Sequence, residues 1–124
     1  MTGDSRDAVI KRFGKPDETR VFEKGRFEIV TLGGMTIGRA TYEPGWKWSV
    51  HVGPREKSAS CKVEHVGIVV SGHAKVKMDD GREIDLRAGD CFYVAPGHDS
   101  WVVGDDLYVS IHLMGASDYA KKGG

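Results

Sequence analysis

From Arg20 to Gly115 the apolar and polar positions alternate in short runs separated by glycine-bearing turns, with no long stretch at helical spacing. "RVFEKG", "RFEIVTL" and "MTIGRATYEP" are rich in β-branched and aromatic residues, and Gly33-Gly34 separates the last two; they predict strands joined by turns. "GWKWSVHV" sets Trp46, Trp48 and Val50 against Lys47, Ser49 and His51, the period of two expected of a strand with distinct faces. The polar "GPREKSAS" reads as a turn. "CKVEHVGIVVSG" and "HAKVKMDDG" predict two strands around Ser71-Gly72, and Asp80-Gly81 is a hairpin signal before "REIDLRAGD". "CFYVAPG", "SWVVGDD" and "LYVSIHLMG" complete an all-β series suited to a two-sheet sandwich or small barrel. Only the ends depart from it. "DSRDAVIKRF", with Asp4 and Ser5 as caps and Val9, Ile10 and Phe13 on one side, predicts a short helix ended by Gly14 and Pro16. "ASDYAKKGG" reads as a short terminal helix or a frayed tail, so its removal from Ser117 onward should leave folding nearly unchanged. The expected division is a helical segment over 1–18, a β-domain over 19–115 and a tail over 116–124.

Composition narrows the function. A chain of 124 residues holds one ordinary core and therefore one site. Lysine plus arginine equals aspartate plus glutamate at 18 each, so no overall field draws the chain to nucleic acid or to a membrane surface. The amino terminus lacks the apolar core of a signal peptide, and no segment reaches the length of a membrane span, which predicts a cytoplasmic protein. Cys61 and Cys91 are too few for a disulfide scaffold and are expected to be free thiols.

Two stretches carry a likeness to a known family. Gly45, five residues, then His51 matches the opening of the pattern G-x5-HxH-x(3,4)-E-x6-G, and His65, six residues, then Gly72 matches its close, with His65 where glutamate usually stands. "GDCFYVAPGHDSW" matches G-x5-PxG-x2-H-x3-N through Gly89 and Gly97, with Ala95 in the proline slot and Pro96 beside it. On these motifs, in order and suitably spaced, the chain resembles the cupin superfamily and, more narrowly, its short single-domain members. The resemblance implies a double-stranded β-helix of the jelly-roll type, and such groups include metal enzymes, sugar-processing proteins and non-catalytic binders. The departures are specific. Gly53 or Cys61 falls on the second histidine of HxH, and Ser100 occupies the usual histidine slot of the second motif, two residues after His98. The family's site of three histidines and one glutamate is not carried over intact.

The donors that remain near the motifs are His51, Cys61, His65 and His98, enough for a first-row divalent ion if they converge. Cys61 and His65 share a face if their strand is unbroken, and His98 follows a Pro-Gly turn that can aim it into a barrel mouth. His51 and His65 otherwise read as satisfied sheet histidines, and Cys61 reads equally as a ligand or as a small buried hydrophobe. His73 is expected in solvent and Glu64 on the surface. Trp48, Tyr93, Trp101 and His112 are candidates for the wall of a small-molecule pocket, although core packing is the plainer role for at least two of the tryptophans, Trp46 among them. With the resemblance, these residues predict a metal-binding cupin with nickel, zinc, iron or manganese and a small-molecule pocket, one form of it being a metal-dependent enzyme on a small polar substrate; the rival is a non-catalytic cupin that binds or senses a small molecule. A homodimer is expected from the family's habit of pairing.

Overall fold

A computed structural model describes residues 7–120. Nine strands and two helical turns follow in order: β1 Glu18–Phe22, β2 Gly25–Leu32, β3 Met35–Tyr42, α1 Trp48–His51, α2 Gly53–Glu56, β4 His65–Ser71, β5 His73–Met78, β6 Glu83–Arg87, β7 Cys91–Val94, β8 His98–Val102 and β9 Tyr108–Met114. A six-stranded sheet runs β1-β2-β3-β9-β4-β7 and a three-stranded sheet runs β6-β5-β8, with every named ladder antiparallel. The expected jelly-roll architecture is therefore present. No helix among the described residues is long and apolar enough to cross a membrane.

Local chemistry explains the joints. Gly33 and Gly34 both have positive φ, and Leu32 pairs with Met35 across them, the register of a two-residue hairpin. Ser71-Gly72 has a different role from the hairpin its spacing suggests: β4 lies in the large sheet and β5 in the small one. Gly72 turns the chain between the sheets at φ +84°, where a Cβ would stand 2.4 Å from the Leu107 carbonyl oxygen. A side chain at that corner would force β9 away.

Three other expectations need correction. Residues 8–12 form no helix, because Val9 and Ile10 face solvent and a segment with no apolar face to bury has little to hold a helix together; Asp4 and Ser5 lie outside the described residues. "GWKWSVHV" is not a strand. Only Lys47 bridges to Trp101; from Trp48 the chain coils into α1, and α2 follows with Pro54 in its first turn. Trp46 and Trp48 are fully buried while Val50 is 58% exposed, which breaks the apparent alternation at its third member. Lastly, the described part of the carboxy-terminal segment is docked rather than frayed, with Ala116, Tyr119 and Ala120 buried.

The core lies between the sheets. Tyr42 stacks on Trp46 at a centroid distance of 3.7 Å and an interplanar angle of 2°, with Tyr108 on the other side at 5.7 Å. Phe27 rests on Gly38, whose missing Cβ leaves room for the ring, and meets His112 and Tyr119 edge-on. This aromatic block borders the polar groups described next.

Candidate metal centre

Cys61, His65 and His98 each offer a ligand atom, and these atoms all lie within 4.8 Å of one another. Each comes from a different local structure. His65 opens β4, facing inward at 4% exposure beside Val94 of β7. His98 opens β8 after the Pro96-Gly97 turn, where Gly97 has φ +90°. Cys61 precedes β4 in a loop and is stitched to β8 by an isolated bridge, its N–H donating to the His98 carbonyl at 2.6 Å. The unbroken strand expected from Cys61 to His65 is absent, and the bridge to His98 brings the thiol in instead.

The donor chemistry fits a metal ion. Cys61 Sγ stands 3.6 Å from His65 Nε2. Sulfur and nitrogen bound to one tetrahedral zinc, at about 2.3 and 2.0–2.1 Å, stand roughly 3.5 Å apart. The His98 Nδ1–H donates to the Ala95 carbonyl at 2.8 Å, which leaves Nε2 as the lone-pair nitrogen. His65 Nδ1 is buried without a partner, so the imidazole is not satisfied by the protein alone. Burial, helped by His112 and His98, pushes the His65 pKa down to about 2; burial takes His112 down to about 4 and lowers His98. All three imidazoles are neutral at neutral pH, the state a ligand needs. The Cys61 thiol is pushed up to about 12 by burial, so a binding ion must displace its proton.

Of the other residues singled out in the sequence, Trp46, Ser100 and His112 border the same space, and the rest lie elsewhere. His51 sits on α1, where Nδ1 accepts the Lys47 N–H at 2.9 Å and Nε2 stands 4.0 Å from a Glu23 carboxylate oxygen; it is no part of the cluster. Trp48 packs in the core, Trp101 lies beneath the Lys47 ammonium at 5.2 Å, and Tyr93 is exposed and donates to Glu64 at 2.8 Å. His73 pairs with Asp85 at 2.8 Å on the outer face of the small sheet. His112 does face inward, 5.1 Å from the His65 ring and hydrogen-bonded to Ser110 at 3.0 Å.

A cavity of about 40 Å³ adjoins the cluster and is lined by His65, His98, Ser100, Tyr108, Ser110 and His112, together with Tyr42, Tyr119 and apolar side chains of both sheets. On the scale where one water needs roughly 10–15 Å³, it holds about three. Tyr42, Tyr108 and Tyr119 were not among the sequence candidates. Tyr108, Ser110 and His112 alternate along β9, so Tyr108 was readable from the period of two. Nothing local signals Tyr119, which arrives on a turn of the carboxy-terminal segment.

Comparison with known proteins adds the following. Residues 44–105, half of the chain, match the model of the EutQ-like cupin domain. No protein of curated function matches the chain. Among solved structures, an uncharacterized conserved protein with a double-stranded β-helix domain from Klebsiella pneumoniae is 15% identical, with a TM-score of 0.57, covering 95% of this chain and 92% of that one. A cupin-like protein from Thermotoga maritima is 16% identical with a TM-score of 0.54, covering 93% of this chain and 85% of its own. The oxalate decarboxylase of Lactobacillus farciminis, solved as a formate complex, is 18% identical with a TM-score of 0.59; the match covers 93% of this chain and 36% of the enzyme. At these identities the likeness is one of fold.

Proposed function

Because the chain belongs to the EutQ-like cupin family, we propose that it is a metal-binding cupin in which Cys61, His65 and His98 hold a transition-metal ion beside a small-molecule pocket. The observation that carries this reading is the 3.6 Å separation of Cys61 Sγ and His65 Nε2, at the wall of a buried cavity. One sulfur and two imidazoles suit zinc, iron or nickel and suit manganese least. When bound, such an ion supplies Lewis acidity toward a ligand in the cavity. The protein's own contribution is to orient it. Ala95 fixes the tautomer of His98, and the bridge to β8 fixes Cys61. A reducing, cytoplasmic setting belongs to this reading, since the thiol must stay free; Cys61 and Cys91 are both free.

Among the described residues the cavity is lined by His112 and by no aspartate or glutamate, so a general base in it would be an imidazole; the rival reading is a cupin that binds or senses a small molecule without turnover. Elemental analysis of protein purified without an affinity tag, beside its Cys61→Ser and His65→Ala variants, tests the metal reading. A stoichiometric ion in the parent that falls sharply in both variants supports it; equal metal in all three would remove it. Turnover is then judged by whether small polar substrates are consumed by the loaded parent but not by His65→Ala.

A further inference from the structure

The wall of the cavity that carries Tyr42 and Tyr119 says what the pocket can hold. We propose that it selects a small monoanion with acceptor atoms, which the paired phenols of Tyr42 and Tyr119 hold by hydrogen bonding. This rests on the metal-binding reading above and adds a ligand class and two specificity-determining residues.

The first argument is charge. No aspartate, glutamate, lysine or arginine lines the cavity among the described residues. A divalent ion with one thiolate and two neutral imidazoles therefore leaves a net single positive charge in a buried space. An uncompensated buried charge costs several kcal/mol. One negative charge cancels it, whereas a dianion overshoots and a cation adds to it.

The second argument counts protons. Tyr42 Oη and Tyr119 Oη stand 2.5 Å apart, both in buried residues that border the cavity. Two phenols carry two O–H donors, and the bond between them uses one. Among the described residues no acceptor takes the other, so the pair presents a spare donor beside the cavity. A phenol keeps its proton at neutral pH, so both donors are in place. The wall thus asks for an acceptor.

The third argument is size and rigidity. A space of about 40 Å³ takes roughly three water-sized groups, enough for a three- or four-atom anion and too little for an aromatic acid. Tyr42 is clamped between Trp46 and Tyr108. Tyr119 is held from outside: the Arg20 guanidinium donates to the carbonyls of Ala116, Ser117 and Tyr119, and the Glu56 carboxylate accepts the Ala120 N–H. Both hydroxyls are therefore positioned before a ligand arrives, which lowers the cost of binding it.

The test uses the full chain loaded with cobalt(II) and titrated with sodium azide at constant ionic strength, followed in the visible spectrum. The expected result is a saturable azide shift that acetate reverses and that sulfate and benzoate do not. The double variant Tyr42→Phe/Tyr119→Phe, which removes both donors, should weaken azide about tenfold, the scale of one hydrogen bond to a charged group, with cobalt affinity unchanged; either single variant frees the remaining hydroxyl and should weaken azide less. The selectivity of the parent needs no variant. Sulfate or benzoate competing as well as acetate, or azide binding the double variant as tightly as the parent, overturns the proposal. Cobalt bound with its thiolate band but blind to azide overturns this inference alone. Absence of the thiolate band overturns the metal reading and this inference with it.

Discussion

His51 and His65 fall on positions of the same motif, yet the fold treats them in opposite ways. His65 opens β4, where successive side chains alternate between the two faces, and the strand aims it at the centre of the sandwich. His51 ends a helical turn, where the period of two has no meaning, and its ring folds back on the Lys47 N–H. Motif spacing places a ligand only when the intervening chain keeps the geometry that the spacing assumes. Trp48 is the cause of the difference. Its side chain is 1% exposed, and seating it in the core fixes the coil of α1 that carries His51 away. Tyr119 is the exception that sharpens the rule: it reaches the centre from a turn, because Arg20 and Glu56 grip the backbone around it.

That exception gives the largest expected effect. Tyr119→Ala should destabilise the protein by about 3–5 kcal/mol, the cost of emptying a buried aromatic site, measured by urea unfolding. Deletion from Ser117 onward should lower the melting temperature markedly, against the expectation from sequence that the tail is dispensable. A loss below about 1 kcal/mol for both would return the segment to the status of a tail.

The contrast between the two histidines is broken or kept by zinc titration. His65→Ala should weaken zinc by more than about 100-fold, beyond the 10–100-fold typical of an outer partner, while His51→Ala leaves it unchanged. Equal losses in the two variants would put His51 back in the site.

The dependence of stability on pH separates them as well. The pKa values of His65 and His112 lie near 2 and 4 in the folded chain, below the unfolded value near 6.5, so below that value the unfolded chain binds more protons. Stability of the metal-free protein should be full above about pH 6.5 and fall as pH drops toward 4, at about 1.4 kcal/mol per pH unit for each group. His65→Gln should flatten that slope and His51→Ala should not. The smallest effect is on His51 itself: losing its bond to Lys47 should cost about 0.5–1 kcal/mol of stability.

The particular residues also show where sequence suffices. Gly33-Gly34 and Asp80-Gly81 mark their turns because backbone conformation there depends on the residues themselves; Gly81 has φ +97° and the Arg82 N–H donates to Asp80. His65 and His98 were legible as donors through the motif and the Pro-Gly turn, whereas Cys61 reaches them through its bridge to His98 and not through strand alternation; His112, read as a hydrogen-bonded sheet residue that could also enter the cavity, does both. The Ser71-Gly72 corner was not, since hairpin and sheet change share the same local signal and differ only in what packs against Gly72. The α1 turn and the docking of Tyr119 depend on tertiary contacts, Trp48 with the core and Arg20 with three carbonyls, that no local pattern encodes.

The central claim, that Cys61, His65 and His98 share one ion, is tested most directly by X-ray absorption at the zinc edge of the zinc-loaded protein. The account predicts one sulfur scatterer at about 2.3 Å and nitrogen or oxygen scatterers at about 2.0–2.1 Å, with the sulfur shell lost in Cys61→Ser. A parent spectrum with no sulfur shell, or one that Cys61→Ser leaves unchanged, would contradict it.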